Sequence, residues 1–102
     1  MQRITRIWHG TTKADHAEEY QKFVEDTGLK DYKAIRGNLS VKLLRRTEGN
    51  ICHFLTVTEW ESIESIKAFA GEEYQLAKYY PGDEKYLLAF EKHVVHYETF
   101  EY

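Results

Sequence analysis

Cysteine is almost absent from this chain: Cys52 stands alone among 102 residues, which excludes an internal disulfide and a redox CxxC pair. It falls in a strand pattern, where a free cysteine reads as a small buried hydrophobe rather than a nucleophile. Long apolar runs are missing too. None approaches the roughly 20 residues that span a bilayer, and Met1-Gln2-Arg3-Ile4 lacks the apolar core of a signal peptide, so the expected location is the cytoplasm. There is no basic excess: 14 Lys and Arg against 17 Asp and Glu give a formal net charge of -3, which argues against nucleic acid. The local cluster Lys42, Arg45 and Arg46 reads as a solvated strand end.

Aromatic residues are what the chain has in excess, 15% of it, with eight Tyr and two Trp. Tyr and Trp combine an apolar body with a polar tip, which suits interfaces and pockets for flat ligands alike. A hydrophobic content of 42% with 30% charged residues describes one globular domain covering residues 1–102.

Residues 3–9 are rich in β-branched and aromatic side chains and predict a strand that stops at Gly10. One of its faces carries Ile4, Arg6 and Trp8, the other Thr5, Ile7 and His9. Thr12-Lys13-Ala14-Asp15 resembles a capping box, and Ala14, Ala17, Tyr20 or Gln21, and Val24 then follow helical spacing with Phe23 widening the stripe. The expected helix covers roughly 13–27, with Gly28 at its C-cap and an irregular stretch over 29–36.

Gly37-Asn38 opens a second strand, Glu48-Gly49-Asn50 is a turn signal, and residues 51–60 alternate again, so a hairpin is expected. Ser62 caps a helix with Ile63, Ile66, Phe69 and Ala70 on one side and Gly71 at its end. Residues 72–80 predict a short helix stopped by Pro81, residues 83–88 one or two helical turns, and residues 91–102 a long last strand.

The resulting order β-α-β-β-α-β is an α+β, ferredoxin-like arrangement: a four-stranded antiparallel sheet with helices on one face. Its strands are apolar on both faces. A symmetric homodimer joined sheet to sheet is therefore expected, with His53, Leu55 and Val57 in the interface.

Ile4-Thr5-Arg6-Ile7-Trp8-His9-Gly10, Gly37-Asn38-Leu39, Thr58-Glu59-Trp60-Glu61-Ser62, Ala68-Phe69-Ala70-Gly71, Tyr79-Tyr80-Pro81 and His96-Tyr97-Glu98 resemble stretches of the antibiotic biosynthesis monooxygenase-like family, in the dimeric α+β barrel superfamily. The resemblance covers nearly the whole chain. It implies a pocket between sheet and helices in each protomer, with the dimer closing a barrel. Characterised relatives either oxidise polycyclic phenols or quinols without metal or flavin, or bind and degrade haem in the same cleft. The haem degraders use an Asn on the first strand, a Trp at the end of the third and a His on the helix that follows. Trp60 matches the Trp, but the other two positions fall near residues 7–9, which hold no Asn, and at Tyr79 or Tyr80. A phenolate can ligate ferric iron, so haem remains possible but disfavoured, and no cofactor is expected.

Cofactor-free oxidation needs a base, a group that stabilises the developing oxyanion, and apolar walls. His9 is a conceivable base and Arg6 an anion stabiliser, although strand alternation lets only one of them face the cleft directly. The residues expected to act are His9 and Trp60, with Arg6, Trp8, Phe54, Phe69, Tyr79 and Tyr80 holding a small aromatic phenol or quinol. For Trp60 the competing reading is a core aromatic under the second helix. For Tyr79 and Tyr80 it is packing against the sheet. His16 reads as solvated, while His93 and His96 point to opposite faces, so no metal is expected. Three functions stay open: a monooxygenase-like enzyme, a non-catalytic small-molecule-binding dimer, and a haem protein.

Overall fold

A computed structural model describes residues 3–102. Met1 and Gln2, the start of the N-terminus considered above, lie outside the described residues. The chain runs β1 (Arg3–Lys13), a 3-10 turn (Ala14–His16), α1 (Ala17–Val24), a π turn (Glu25–Leu29), α2 (Lys30–Ala34), β2 (Asn38–Glu48), β3 (Ile51–Trp60), α3 (Ile63–Ala70), a 3-10 turn (Asp83–Lys85) and β4 (Val95–Thr99). The strands form one antiparallel sheet in the order β2-β3-β1-β4, the ferredoxin-like topology expected from the sequence.

β1 does not stop at Gly10. It continues to Lys13, pairing with β3 from Ile4↔Trp60 to Lys13↔Ile51. Gly10 serves close packing: a Cβ there would lie 2.3 Å from Cη2 of Trp8, whose indole lies along the same face two residues back. Thr12 is accordingly a buried strand residue, and no side chain caps the turn that follows.

The first helix does not end at Gly28 either. Ala17, Tyr20 and Val24 are buried at ordinary helical spacing, but the next buried residues are Gly28, Leu29 and then Tyr32. The π turn inserts one residue, rotates the buried stripe and carries the helix on to Ala34. α3 is as the sequence indicates: the Ser62 hydroxyl accepts a 3.2 Å bond from Ser65 N–H, and Gly71 with φ 88° ends the helix.

Residues 72–80 are not helical. Their backbone pairs instead with the approach to β4: Ala77 N–H donates to the Lys92 carbonyl at 2.8 Å and Val94 N–H to the Gln75 carbonyl at 2.9 Å. A nine-residue helix is too short to stand on propensity alone, and tertiary pairing prevails. The same pairing shortens β4 to five residues, because His93 bridges Leu76 rather than β1. Of the turns expected over 83–88, one forms at Asp83–Lys85.

Ile4, Arg6, Trp8, Cys52, Phe54, Thr56, Thr58 and Trp60 face the helices and are buried. The opposite sheet face carries Ile7, Leu55 and Val57, half-buried, beside Leu44, Val95 and Tyr97, each about half exposed. No helix among the described residues is long and apolar enough to cross a membrane.

Candidate functional site

The helix-facing side of β1 and β3, the inner face of α1 and α2, and the strap of residues 72–82 enclose a narrow cleft. Arg6 and Trp8 from β1 and Thr56 from β3 form its floor. Tyr20 and Tyr32 from the helices and Tyr79 and Tyr80 from the strap supply its walls. These rings leave about 30 Å³ of free space, enough for about two water molecules.

Each wall is tethered. Tyr20 donates from its hydroxyl to Asp83 at 2.8 Å, and Tyr80 donates to Asp31 at 2.6 Å. The Tyr79 hydroxyl donates to the Glu91 carbonyl at 2.6 Å, while the Trp8 indole N–H points at the same hydroxyl at 3.4 Å. Burial pushes all three tyrosines above the ordinary phenol range, reinforced at Tyr20 and Tyr80 by hydrogen bonds to carboxylates, so none of them ionises readily. Lys78 spans the mouth, its Nζ 3.2 Å from the Phe69 carbonyl and 4.6 Å from the Phe69 ring centroid.

Arg6 is the polar centre of the floor. Its guanidinium reaches the Tyr32 hydroxyl and the Leu76 carbonyl, both at 3.4 Å, and stands 5.3 Å from the Phe69 ring centroid. Burial lowers its pKa from the ordinary arginine value, while nearby Tyr32 partly offsets the effect. Its cross-strand neighbour His96 is held neutral, with a pKa lowered to about 4 by burial and by the Arg6 charge.

Of the residues singled out by sequence, the cleft brings together Arg6, Trp8, Tyr79 and Tyr80. His9 is not among them. Alternation along β1 sends it to the opposite sheet face, where its Nε2 lies 3.0 Å from Nδ1 of His53 and its Nδ1 meets Glu91. Trp60 is fully buried behind the cleft, donating to Thr58 Oγ1 at 2.8 Å and packing on Tyr32 and Phe69. Phe54 packs edge-on against Tyr20, and Phe69 tilts over Tyr32 at 4.5 Å between ring centroids, so both support wall residues from the core. Among the described residues no cluster of three or more His, Cys, Asp or Glu could hold a metal ion. Sequence reasoning passed over Tyr20, Tyr32, Lys78 and Asp83. The helical stripe offered Tyr20 or Gln21 as its buried member, but nothing local indicates that 63 positions separate Tyr20 from its partner Asp83.

No protein-family model matches the chain, and no curated protein matches it. Solved structures do. A Bacillus cereus protein provisionally named an antibiotic biosynthesis monooxygenase superposes with a TM-score of 0.68 at 14% identity, over 100% of this chain and 97% of that one. This chain has the fold of the antibiotic biosynthesis monooxygenase-like proteins. A Nitrosomonas europaea protein of the same provisional name matches at 11% identity and TM-score 0.67, over 96% of this chain and 89% of that one. A dabb family protein with a ferredoxin-like fold from Mesorhizobium loti matches at 18% identity and TM-score 0.61, over 100% and 99% of the two chains. At these identities the likeness concerns the fold.

Proposed function

We propose that this monooxygenase-like protein oxidises a small electron-rich phenol or quinol in the cleft, without metal or flavin. The observation that carries the reading is the buried Arg6 cation at the floor of an aromatic-walled cleft. In such a reaction the substrate supplies the electrons: one atom of dioxygen enters the substrate and the other leaves as water. Ionisation of the phenol comes first. A guanidinium in a poorly solvated site favours the phenolate over the phenol and holds the oxyanion as it develops. No histidine lines the cleft, and both oxygens of Asp83 already accept hydrogen bonds, from Tyr20 and from Tyr80 N–H. The phenolic proton therefore leaves to solvent, drawn off by the Arg6 charge rather than by a dedicated base.

A second reading, ligand binding without turnover, is favoured by the free space of about 30 Å³, which is less than one aromatic ring occupies. Either activity requires the strap to shift outward. Haem suits the residues poorly, because Tyr79 and Tyr80 commit their hydroxyls to Glu91 and Asp31 and the walls lie too close for a porphyrin. The half-exposed apolar sheet face suits a second copy of the chain, and the homodimer belongs to this proposal. An unpaired, fully buried Cys52 is compatible with action in the cytoplasm.

The test is oxygen uptake with an anthrone or a simple quinol under air. Enzyme-dependent uptake that falls at least tenfold in Arg6→Met is the expected result. No uptake above the substrate's own autoxidation would remove the catalytic reading and leave ligand binding.

A further inference from the structure

The Arg6 guanidinium is placed like one half of an ion pair. It is 1% exposed, yet no carboxylate among the described residues lies within ion-pair distance of it. Asp83, the acid on the same cleft, is turned toward Tyr20 and the Tyr80 backbone. The hydrogen bonds Arg6 does make are with neutral oxygens, both long at 3.4 Å, and its other contact is the face of the Phe69 ring. Its Nε finds no hydrogen-bond partner among the described residues. Burying a cation this far without an anion is costly, and native proteins rarely leave one so unless a ligand completes it.

A second observation falls beside the cleft. His96 stands directly across from Arg6 on β4, and its Nε2 is the other buried side-chain atom among the described residues that lacks a partner. The two orphaned groups thus share one cross-strand position beneath the strap, where the Leu76 carbonyl makes only a weak contact with Arg6.

We infer that the cleft is completed by a carboxylate ligand, its anionic head on the free Nε edge of Arg6 and its flat apolar body between Trp8 and the tyrosine rings. This rests on the cleft being the ligand site, as proposed above, and adds the charge and shape of what enters it. The Nε and Nη2 donors of a guanidinium form a planar fork that matches the two oxygens of a carboxylate. The head takes the place of the Leu76 carbonyl, so binding and outward movement of the strap are one event. Lys78 at the mouth adds a second positive charge on the path of entry.

Benzoate and its neutral isostere benzamide are suitable probes, titrated calorimetrically into the full chain at constant ionic strength. Saturable benzoate binding, at least tenfold tighter than benzamide and lost in Arg6→Met, is the expected result. Equal affinity for the two probes, no binding of either, or a benzoate preference that survives in Arg6→Met would overturn the inference. Should Arg6→Met fail to fold, Arg6→Lys replaces it: the charge stays while the fork is lost, so benzoate is expected to weaken severalfold, and an unchanged affinity would overturn the inference. Quinol-dependent oxygen uptake without any benzoate preference would remove the carboxylate and leave the oxidation. Benzoate binding without oxygen uptake would do the reverse.

Discussion

The hydroxyl of Tyr20 donates to Oδ1 of Asp83 at 2.8 Å, and this bond ties the first helix to the 3-10 turn at the end of the strap that roofs the cleft. The other oxygen of Asp83 accepts the Tyr80 N–H at 2.6 Å, so one buried carboxylate sets the positions of two wall residues. Tyr20→Phe keeps the ring and removes the donor. Hydrogen bonds to charged groups contribute roughly 1.5–3 kcal/mol, and a loss of that size is expected in urea denaturation. A loss below the scatter of the measurement would show that the helix and strap are coupled by ring packing alone.

Gly10→Ala probes the close approach of Trp8. The added Cβ would lie 2.3 and 2.5 Å from two atoms of the indole, and the strand geometry at Gly10 leaves the ring to move. Overpacking of this kind costs about 1–3 kcal/mol. Trp8 is part of the cleft floor, so tryptophan fluorescence is expected to shift together with the midpoint. A variant with wild-type stability and spectrum would refute the packing role.

His96 makes stability depend on acidity. Its folded pKa, about 4, lies below the ordinary 6.5, so the folded state resists protonation. Between those values the unfolded chain binds more protons than the folded one. The contribution is therefore fully present above pH 6.5 and is lost as pH falls toward 4. His96 is partly buried, and the remaining solvent screening reduces the size of the effect without changing its sign. Replacing it, as His96→Gln, should flatten the denaturation midpoint over this range. A variant as acid-sensitive as the wild type would place the titration elsewhere.

Leu55 occupies the open sheet face, opposite His9 on β1 and Leu44 on β2. If that face joins two copies, the native protein runs at twice the chain mass in light scattering, and Leu55→Glu runs at the chain mass with its circular dichroism unchanged. A native protein that stays monomeric at high concentration would dismiss the pairing.

Local signals carried much of the fold. Alternation marked β1, β2 and β3, Ser62 and Gly71 bounded α3, and the element order implied the sheet topology. They misled where a residue's task was set by a distant neighbour. Gly10 looked like a stop but makes room for Trp8, and Gly28 looked like a cap but lies within a π turn whose extra residue hid the helix beyond it. Residues 72–80 have helical spacing, yet their hydrogen bonds go to residues 92 and 94.

The site was legible to a similar degree. Strand alternation alone separated Arg6 from His9, because successive side chains must point to opposite faces of a sheet. Which of the two would meet the cleft depended on where the helices pack. The sequence put Trp60 ahead of Tyr79, and the order reversed because both are large aromatics in apolar patterns whose depth in the core is not a local property. Tertiary structure put Trp60 under Tyr32 and Phe69 and left Tyr79 at the cleft. The sequence by itself determined the ferredoxin-like order and an abundance of rings, because periodicity and turn chemistry are local. The tertiary structure alone decided that Arg6 would be buried without a carboxylate among the described residues, because the positions of opposite charges depend on contacts between residues far apart along the chain.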